Sequence, residues 1–500
     1  MAEMVGGYRY GQSRFWEIIP GVLVWSTLLG ALILSFVAPV WAIVFIILFD
    51  LYWLLRILYF VPFLIYSAIK FRRTIKINWM QRMRHVPNEE RIHHLIFLPT
   101  YKEDVDIVRT TLKSLRDNPF PSGRMFVALC GEERDHDGFN DMVKTMKEEF
   151  GHVFKDMFVT EHPMNLPGDI PGKGSNLCWA GGRVSEFLSE KYSEIPDADI
   201  VVSAFDVDTL AHEQYFAYLT YLYLTTENPT RASYQPVVLF SNNIWSSPAP
   251  VRISAFGTTF WLLSELARPD RLWTFSSHSM PWTMLKDVGF WQRDIVSEDS
   301  RIFLQAFLHY HGDYRVIPMY MPVSMDAVSG SSYWDSLKAL YKQQRRWAFG
   351  VEHLPVMIGA FKEDHIMPRL AKAKYLFNHM EGMYTWATAP LLIFFLGWLP
   401  LRIARNEGSA LVQAAPFTLE ILMQMAMIGV FVTATLSFFI LPPKPKTVRA
   451  HNWLIMLLQW LLLPITFVVL GAFPAIDAQT RFMFKKYLGF NVTKKIRKGF

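Results

Sequence analysis

Between Glu17 and Asp50 the chain carries no charged side chain. That uncharged run, Ile18 to Phe49, is longer than the about 20 residues one helix needs to cross a bilayer. Pro39 offers a break inside it, so the sequence predicts a helical hairpin over roughly 18–38 and 40–66. No short apolar core followed by a small-residue cleavage site is present, and a removable signal peptide is not expected. Asp50 and Arg56 fall within the second span, where ionisable groups usually face the protein interior or a wet cavity. Buried pairing or snorkelling explains them as well as a transport role does.

Membrane spans cannot be the whole protein. Of 500 residues 51% are hydrophobic, but 19% are charged, too many for a chain made only of spans. The net charge is +6, and the basic residues gather beside apolar runs: Lys70, Arg72, Arg73, Lys76, Arg82 and Arg84, then Lys485, Lys486, Lys494, Lys495, Arg497 and Lys498. Such flanks mark the cytoplasmic side of a membrane. A nucleic-acid surface is the competing reading, and no nucleic-acid partner is expected. Two cysteines, Cys130 and Cys178, make no disulfide framework, which fits a reducing compartment.

From His93 to about Pro322 short apolar runs alternate with helix-compatible segments. Strands are expected at Leu95–Thr100, Met125–Cys130, Met157–Thr160, Ile200–Phe205, Ser233–Leu239 and Tyr314–Tyr320. Helices are expected near Val105–Arg116, Asn140–Phe150, Ser175–Leu188 and Gln214–Leu224. This order predicts an α/β domain, a mostly parallel sheet with helices on both faces. About Tyr333–Phe361, apolar and aromatic positions mix with Lys and Arg as in interfacial helices. Further apolar segments follow near 375–400, 417–441 and 452–474.

The strand at 200–205 runs into Asp206-Val207-Asp208. Residues i and i+2 of a strand share a side, so both carboxylates would face one spot past its carboxyl end, where open α/β sheets bind ligands. Two carboxylates there call for a divalent cation or a cationic partner; a solvated strand end is the plain alternative. Other segments add candidates. Pro99-Thr100-Tyr101-Lys102-Glu103 makes a nucleotide platform or an ordinary strand-to-helix turn, and Glu132-Glu133 ends the second strand. Pro171-Gly172-Lys173-Gly174 opens a helix with a point charge for phosphate, without P-loop spacing. Glu298-Asp299 holds a general-base candidate, with helix capping by Ser297 or Asp299 as the alternative. In Gln343-Gln344-Arg345-Arg346-Trp347, positions 343, 346 and 347 share one helix face. That face offers an amide, a guanidinium for diphosphate and a ring for a sugar to stack on, or an anchored amphipathic helix.

In this order the segments resemble the membrane-embedded family 2 glycosyltransferases, the group of cellulose, chitin and hyaluronan synthases. The matching pieces are Pro-Thr-Tyr-x-Glu at 99–103, Lys-Gly-x-Asn at 173–176, Asp-x-Asp at 206–208, Glu-Asp at 298–299 and Gln-x-x-Arg-Trp at 343–347. The tail at Phe490, Val492, Thr493 and Lys495 is similar to a gating-loop pattern of cellulose synthases. One departure is Glu132-Glu133, where the family often has a second aspartate-rich turn.

The resemblance implies a GT-A type mixed sheet and an inverting transfer of sugar from a nucleotide-diphosphate sugar, UDP-sugar first, to a growing polysaccharide. Asp208 and Asp206 would bind Mg²⁺ or Mn²⁺ and the donor diphosphate, and Asp299, beside Glu298, would be the base. Thr100, Tyr101, Glu103, Glu132 and Lys173 would line the donor pocket, and Gln343, Arg346 and Trp347 would hold diphosphate and acceptor. The expected partners are a nucleotide-sugar donor, a glycan acceptor and membrane lipid. The layout is a transmembrane hairpin over 1–70, a cytoplasmic catalytic domain over 90–330, interfacial helices over 331–370, a transmembrane region over 371–475 and a basic tail over 476–500. Single-sugar transfer to a polyprenyl phosphate is the nearest alternative, and a nucleotide-binding transporter or receptor is the alternative of another class. With catalytic domain and tail both cytoplasmic, 375–474 must cross an even number of times. Either 452–474, interrupted by Pro464, lies in the interface or re-enters, or the tail is outside.

Overall fold

The computed structural model describes residues 11–406, 408–446, 448 and 451–489. Helices Arg14–Val37 and Pro39–Thr74 open it, separated by Ala38, whose backbone leaves the helical region at φ −147°. Pro39 takes the first turn of the second helix, where its missing N–H costs no hydrogen bond. The second helix continues past the expected end near 66 into the basic patch.

Eight strands form one mixed sheet: β1 (His93–Pro99), β2 (Met125–Glu132), β3 (Asp156–His162), β4 (Ile200–Ala204), β5 (Leu210–Ala211), β6 (Ala232–Leu239), β7 (Ser279–Pro281) and β8 (Arg315–Ser324). Their order is β3-β2-β1-β4-β7-β6-β8-β5. The first four are mutually parallel, with Ile96 opposite Val127 on one side and Ser203 on the other. The short β7 runs antiparallel to β4 and β6, β6 and β8 are parallel, and β5 closes the far edge antiparallel to β8. Every residue of β2 and β4 is buried, as in parallel strands covered on both faces. Helices Val105–Arg116, His136–Phe150 and Lys173–Lys191 alternate with these strands. The α/β class and the mixed sheet expected from the sequence are what the structure has.

Helix Ala249–Leu266 is an element that the sequence pattern does not disclose. It packs between β6 and the helix Pro39–Thr74, and a helix covered on several sides is apolar all round and lacks the 3.6-residue signature. The 333–361 region forms two helices, Tyr333–Ala348 and His353–Glu363, joined by a 3₁₀ turn at Phe349–Glu352.

Among the described residues five helices are long and apolar enough to cross a membrane: Arg14–Val37, Pro39–Thr74, Arg369–Asn406, Ala410–Ile440 and Asn452–Met483. Phe36, Leu55, Phe417, Phe431 and Ile465 are exposed on them, a surface suited to lipid. Within the bundle Arg56 pairs with Glu381, which also accepts a hydrogen bond from Tyr52. Asp50 is buried and not part of that pair.

The two ends of the bundle differ. At one, Ile43 packs with Ala404, Val412 and Ala415. At the other, beside the sheet domain, the Arg72 guanidinium lies 4.2 Å over Phe439 and Lys70 Nζ lies 4.6 Å over Tyr320 of β8. Asn452–Met483 keeps both its ends here. It starts with Trp453 5.1 Å from Trp245, and Gln459 accepts a hydrogen bond from Arg252 at 2.7 Å. It finishes where Arg14, at the start of the first helix, donates to the Met483 carbonyl. A 3₁₀ turn at Gln459–Leu462 and a π turn at Val468–Ala472 break its path.

Candidate active site

The carboxyl ends of the parallel strands gather the motifs. β4 stops at Ala204, so Asp206 and Asp208 stand on a turn and not at alternate positions of a strand. They take separate partners. Asp206 accepts from Lys173 Nζ at 2.7 Å through Oδ1 and from Ser276 Oγ at 2.6 Å through Oδ2. Asp208 is buried, and its Oδ2 accepts from the Asp326 N–H at 2.9 Å. Asn242 Nδ2 ties the two loops together, donating to the Asp208 carbonyl at 3.1 Å and to Asp326 Oδ1 at 3.0 Å.

Lys173 is the junction of this edge. It opens the helix Lys173–Lys191, and the next residue must be small. A Cβ on Gly174 would stand 2.9 Å from the Gln292 carbonyl oxygen and 3.2 Å from Glu298 Cβ. From this close seat Nζ also reaches Asp299 Oδ1 at 2.8 Å, with Glu298 Oε1 at 3.9 Å. Burial would lower the ammonium's pKa, but the charges of Asp206, Asp299 and Glu298 outweigh it and raise it, so the lysine stays protonated.

The two acidic neighbours differ in environment. Asp299 is 22% exposed and Glu298 1%, and neither Glu298 carboxylate oxygen has a hydrogen-bond partner. Desolvation, then the charge of Asp299, pushes the Glu298 pKa up to about 7, against the pull of Lys173 and Arg346. Arg346 therefore lies close enough for its charge to act on Glu298. Trp347 is 6.1 Å from Phe240, just past β6 and two residues before Asn242. Gln344 donates to Ser254 Oγ at 3.2 Å and Arg345 to Asp477 at 2.8 Å. These contacts with flanking helices leave half-buried Gln343, Arg346 and Trp347 as the other face.

At the β1 end the Thr100 N–H donates to the Cys130 carbonyl at 2.8 Å, and the Tyr101 N–H donates to the Glu103 carboxylate. Buried Glu132 accepts from Arg134 Nε at 2.8 Å, and that guanidinium lies 4.3 Å over the Tyr101 ring. The turn thus presents an Arg134–Tyr101 pair, with Glu132 beneath it. Phe490, Val492, Thr493 and Lys495 lie outside the described residues.

A family model for glycosyl transferase family group 2 matches residues 201–476, more than half of the chain. The chain belongs to this family. Solved structures similar to this family 2 glycosyltransferase include the mannosyltransferase PcManGT from Pyrobaculum calidifontis in complex with GDP-Man and Mn²⁺. It is 15% identical, with 82% of this chain and 99% of that chain covered, at a TM-score of 0.42. S. aureus TarS 1-349 in complex with UDP-GlcNAc is 12% identical, with 69% and 90% covered, at a TM-score of 0.33. Among curated proteins none matches the sequence.

Several residues at this glycosyltransferase's sheet edge carry no motif. Ser276, Asn242 and Asp326 touch the Asp-x-Asp turn, and His278 sits behind it with Nδ1 2.8 Å from the Phe275 carbonyl oxygen. Burial lowers the His278 pKa to about 4, so the ring is neutral. One signal was available for Asp326, a carboxylate just past the carboxyl end of a strand. Asp206 and Asp208 offer the oxygen ligands that Mg²⁺ and Mn²⁺ take. Among the described residues no group of three or more His, Cys, Asp or Glu is placed to hold an ion. Two carboxylates completed by substrate phosphates are a common way to hold Mg²⁺, and Asp206 and Asp208 would supply that donor type, Asp206 by giving up Lys173 or Ser276.

Proposed function

We propose that this family 2 glycosyltransferase transfers a hexose with inversion from a nucleotide-diphosphate sugar, UDP-sugar first, to a growing polysaccharide at the membrane. The observation that carries the reading is Lys173 Nζ, 2.7 Å from Asp206 and 2.8 Å from Asp299. One buried cation fixes the spacing between the donor turn and the candidate base.

Asp299 takes the proton of an acceptor hydroxyl whose oxygen attacks the anomeric carbon. The bond from that carbon to the diphosphate oxygen breaks, and the nucleoside diphosphate leaves with the electron pair. One displacement inverts the anomeric centre and needs no enzyme nucleophile. Lys173 and Arg346 place positive charge where the diphosphate becomes more negative. A Mg²⁺ or Mn²⁺ ion on Asp206 and Asp208 supplies further stabilisation of that charge when bound. Thr100, Tyr101 and Glu103 shape the nucleotide side, with Glu132 acting through Arg134, and Gln343 and Trp347 receive the acceptor sugar.

The catalytic domain lies on the cytoplasmic face, beside basic Arg72 and Arg73 at the end of the second helix. Four helices cross the bilayer, and Asn452–Met483 returns to its starting side, as its contacts with Trp245 and Arg14 support. The described chain reaches the Glu352 turn at Tyr487, which donates to that carboxylate, and a gating role falls to Phe490, Val492, Thr493 and Lys495 that follow it in sequence.

The test is nucleoside diphosphate release by the purified protein in lipid nanodiscs, across a panel of nucleotide sugars with Mg²⁺ or Mn²⁺. The reading expects release from one donor and a long oligosaccharide product. Addition of one sugar to a lipid would favour the polyprenyl phosphate acceptor, and release from no donor would favour a binding protein.

A further inference from the structure

The Glu-Asp step is tethered a second time, away from Lys173. Ser297 stands at the cap position of the helix Glu298–His309, yet its side chain makes no capping bond. It donates instead to Oε1 of Glu352. The other oxygen of that carboxylate, Oε2, accepts from the Tyr487 hydroxyl at 2.5 Å.

Glu352 is buried and ends the 3₁₀ turn that follows the Gln-x-x-Arg-Trp helix. Burial raises its pKa, while Arg301 nearby and the two hydroxyl donors pull the other way. Tyr487 stands edge-on to Phe349 of the same turn at 4.9 Å. Ten residues earlier, Asp477 accepts from Arg345 at 2.8 Å. One buried carboxylate therefore joins the residue before the catalytic pair, the turn after Trp347 and the last described stretch of chain. A capping bond given up for a long-range partner is a local preference overridden, and such places tend to be functional.

We propose that Glu352 is a positioning residue: through Ser297 it sets the approach of Asp299 to the acceptor hydroxyl, and through Tyr487 it makes that setting depend on the docked C-terminal segment. The inference rests on the reading of Asp299 as the base.

The test compares Ser297→Ala, Tyr487→Phe, their double variant, Glu352→Gln and Glu352→Ala in the full-length protein. Each single hydroxyl deletion should lower kcat for sugar transfer by about tenfold or more, since small misplacements of a reacting group are costly. Donor KM should stay within about twofold, because the donor turn is untouched. The double variant should be no slower than the worse single one, since both hydroxyls act through one carboxylate. Glu352→Gln, which keeps one acceptor oxygen, should retain more kcat than Glu352→Ala. Losses that multiply in the double variant, or full kcat in Tyr487→Phe, would overturn the proposal. If the wild-type protein consumes no nucleotide sugar, the glycosyltransfer reading fails instead.

Discussion

Lys173 and Asp299 are 126 positions apart in sequence and 2.8 Å apart in the fold. The same ammonium is 2.7 Å from Asp206 and 3.9 Å from Glu298, so three acidic groups share one buried cation. Lys173→Met leaves them facing each other without it. The variant should lose about 3 kcal/mol of stability, as when one partner of a buried pair is removed, and should release no nucleoside diphosphate. Thermal unfolding of the detergent-solubilised protein beside a turnover assay checks both.

Glu298 gives a pH signature. Its folded pKa is raised to about 7 from an ordinary 4.5, so between those values the folded protein keeps a proton the unfolded chain releases. The associated stability is full below about pH 4.5 and falls as pH rises through about 7. Glu298→Gln removes that fall. Relative to wild type, its melting temperature should therefore rise by a few degrees between about pH 5 and about pH 8. A difference that stays flat across that range would contradict the assignment.

Gly174→Ala tests the close seat of the lysine. The added Cβ would sit 2.9 Å from the Gln292 carbonyl oxygen, so the start of the helix must move away from Glu298 and Asp299. Turnover should fall by about a hundredfold, the cost of a misplacement near 1 Å. Gly182→Ala on the same helix, whose Cβ meets nothing within 4 Å, should leave turnover unchanged.

These contacts mark the limit of what the sequence discloses. The strands at 93–99, 125–132 and 200–204 are legible because buried parallel strands are unbroken apolar runs, and Val105–Arg116 because its apolar positions recur at helical spacing. β7 is not, since three residues carry no period and pair only in the folded sheet. The helix Ala249–Leu266 hides for the opposite reason, being apolar on nearly every side. At the site, the motif residues are visible one by one. Their meeting at Lys173 is not, because no local rule links residues 173, 206 and 299. Asn242 and Asp326 are placed by the packing of loops after β6 and β8, which spacing does not report.

The bundle makes its own prediction. On the proposed topology, in which Asn452–Met483 returns to the side it left, cysteines at Gly408 and Lys486, both exposed, should face opposite compartments. In sealed inside-out vesicles a membrane-impermeant maleimide should label Lys486→Cys and spare Gly408→Cys. Equal labelling of both would mean that the last helix crosses.

The most direct measurement is a pair on one variant, Asp299→Asn: binding of the nucleotide-sugar donor with its divalent cation, and release of nucleoside diphosphate on adding acceptor. Donor affinity within about threefold of wild type, with turnover down by about a thousandfold or more, is the predicted result for loss of a group used only in the transition state. Substantial turnover in that variant would contradict Asp299 as the base, and with it the assignment of this sheet edge as the site of sugar transfer.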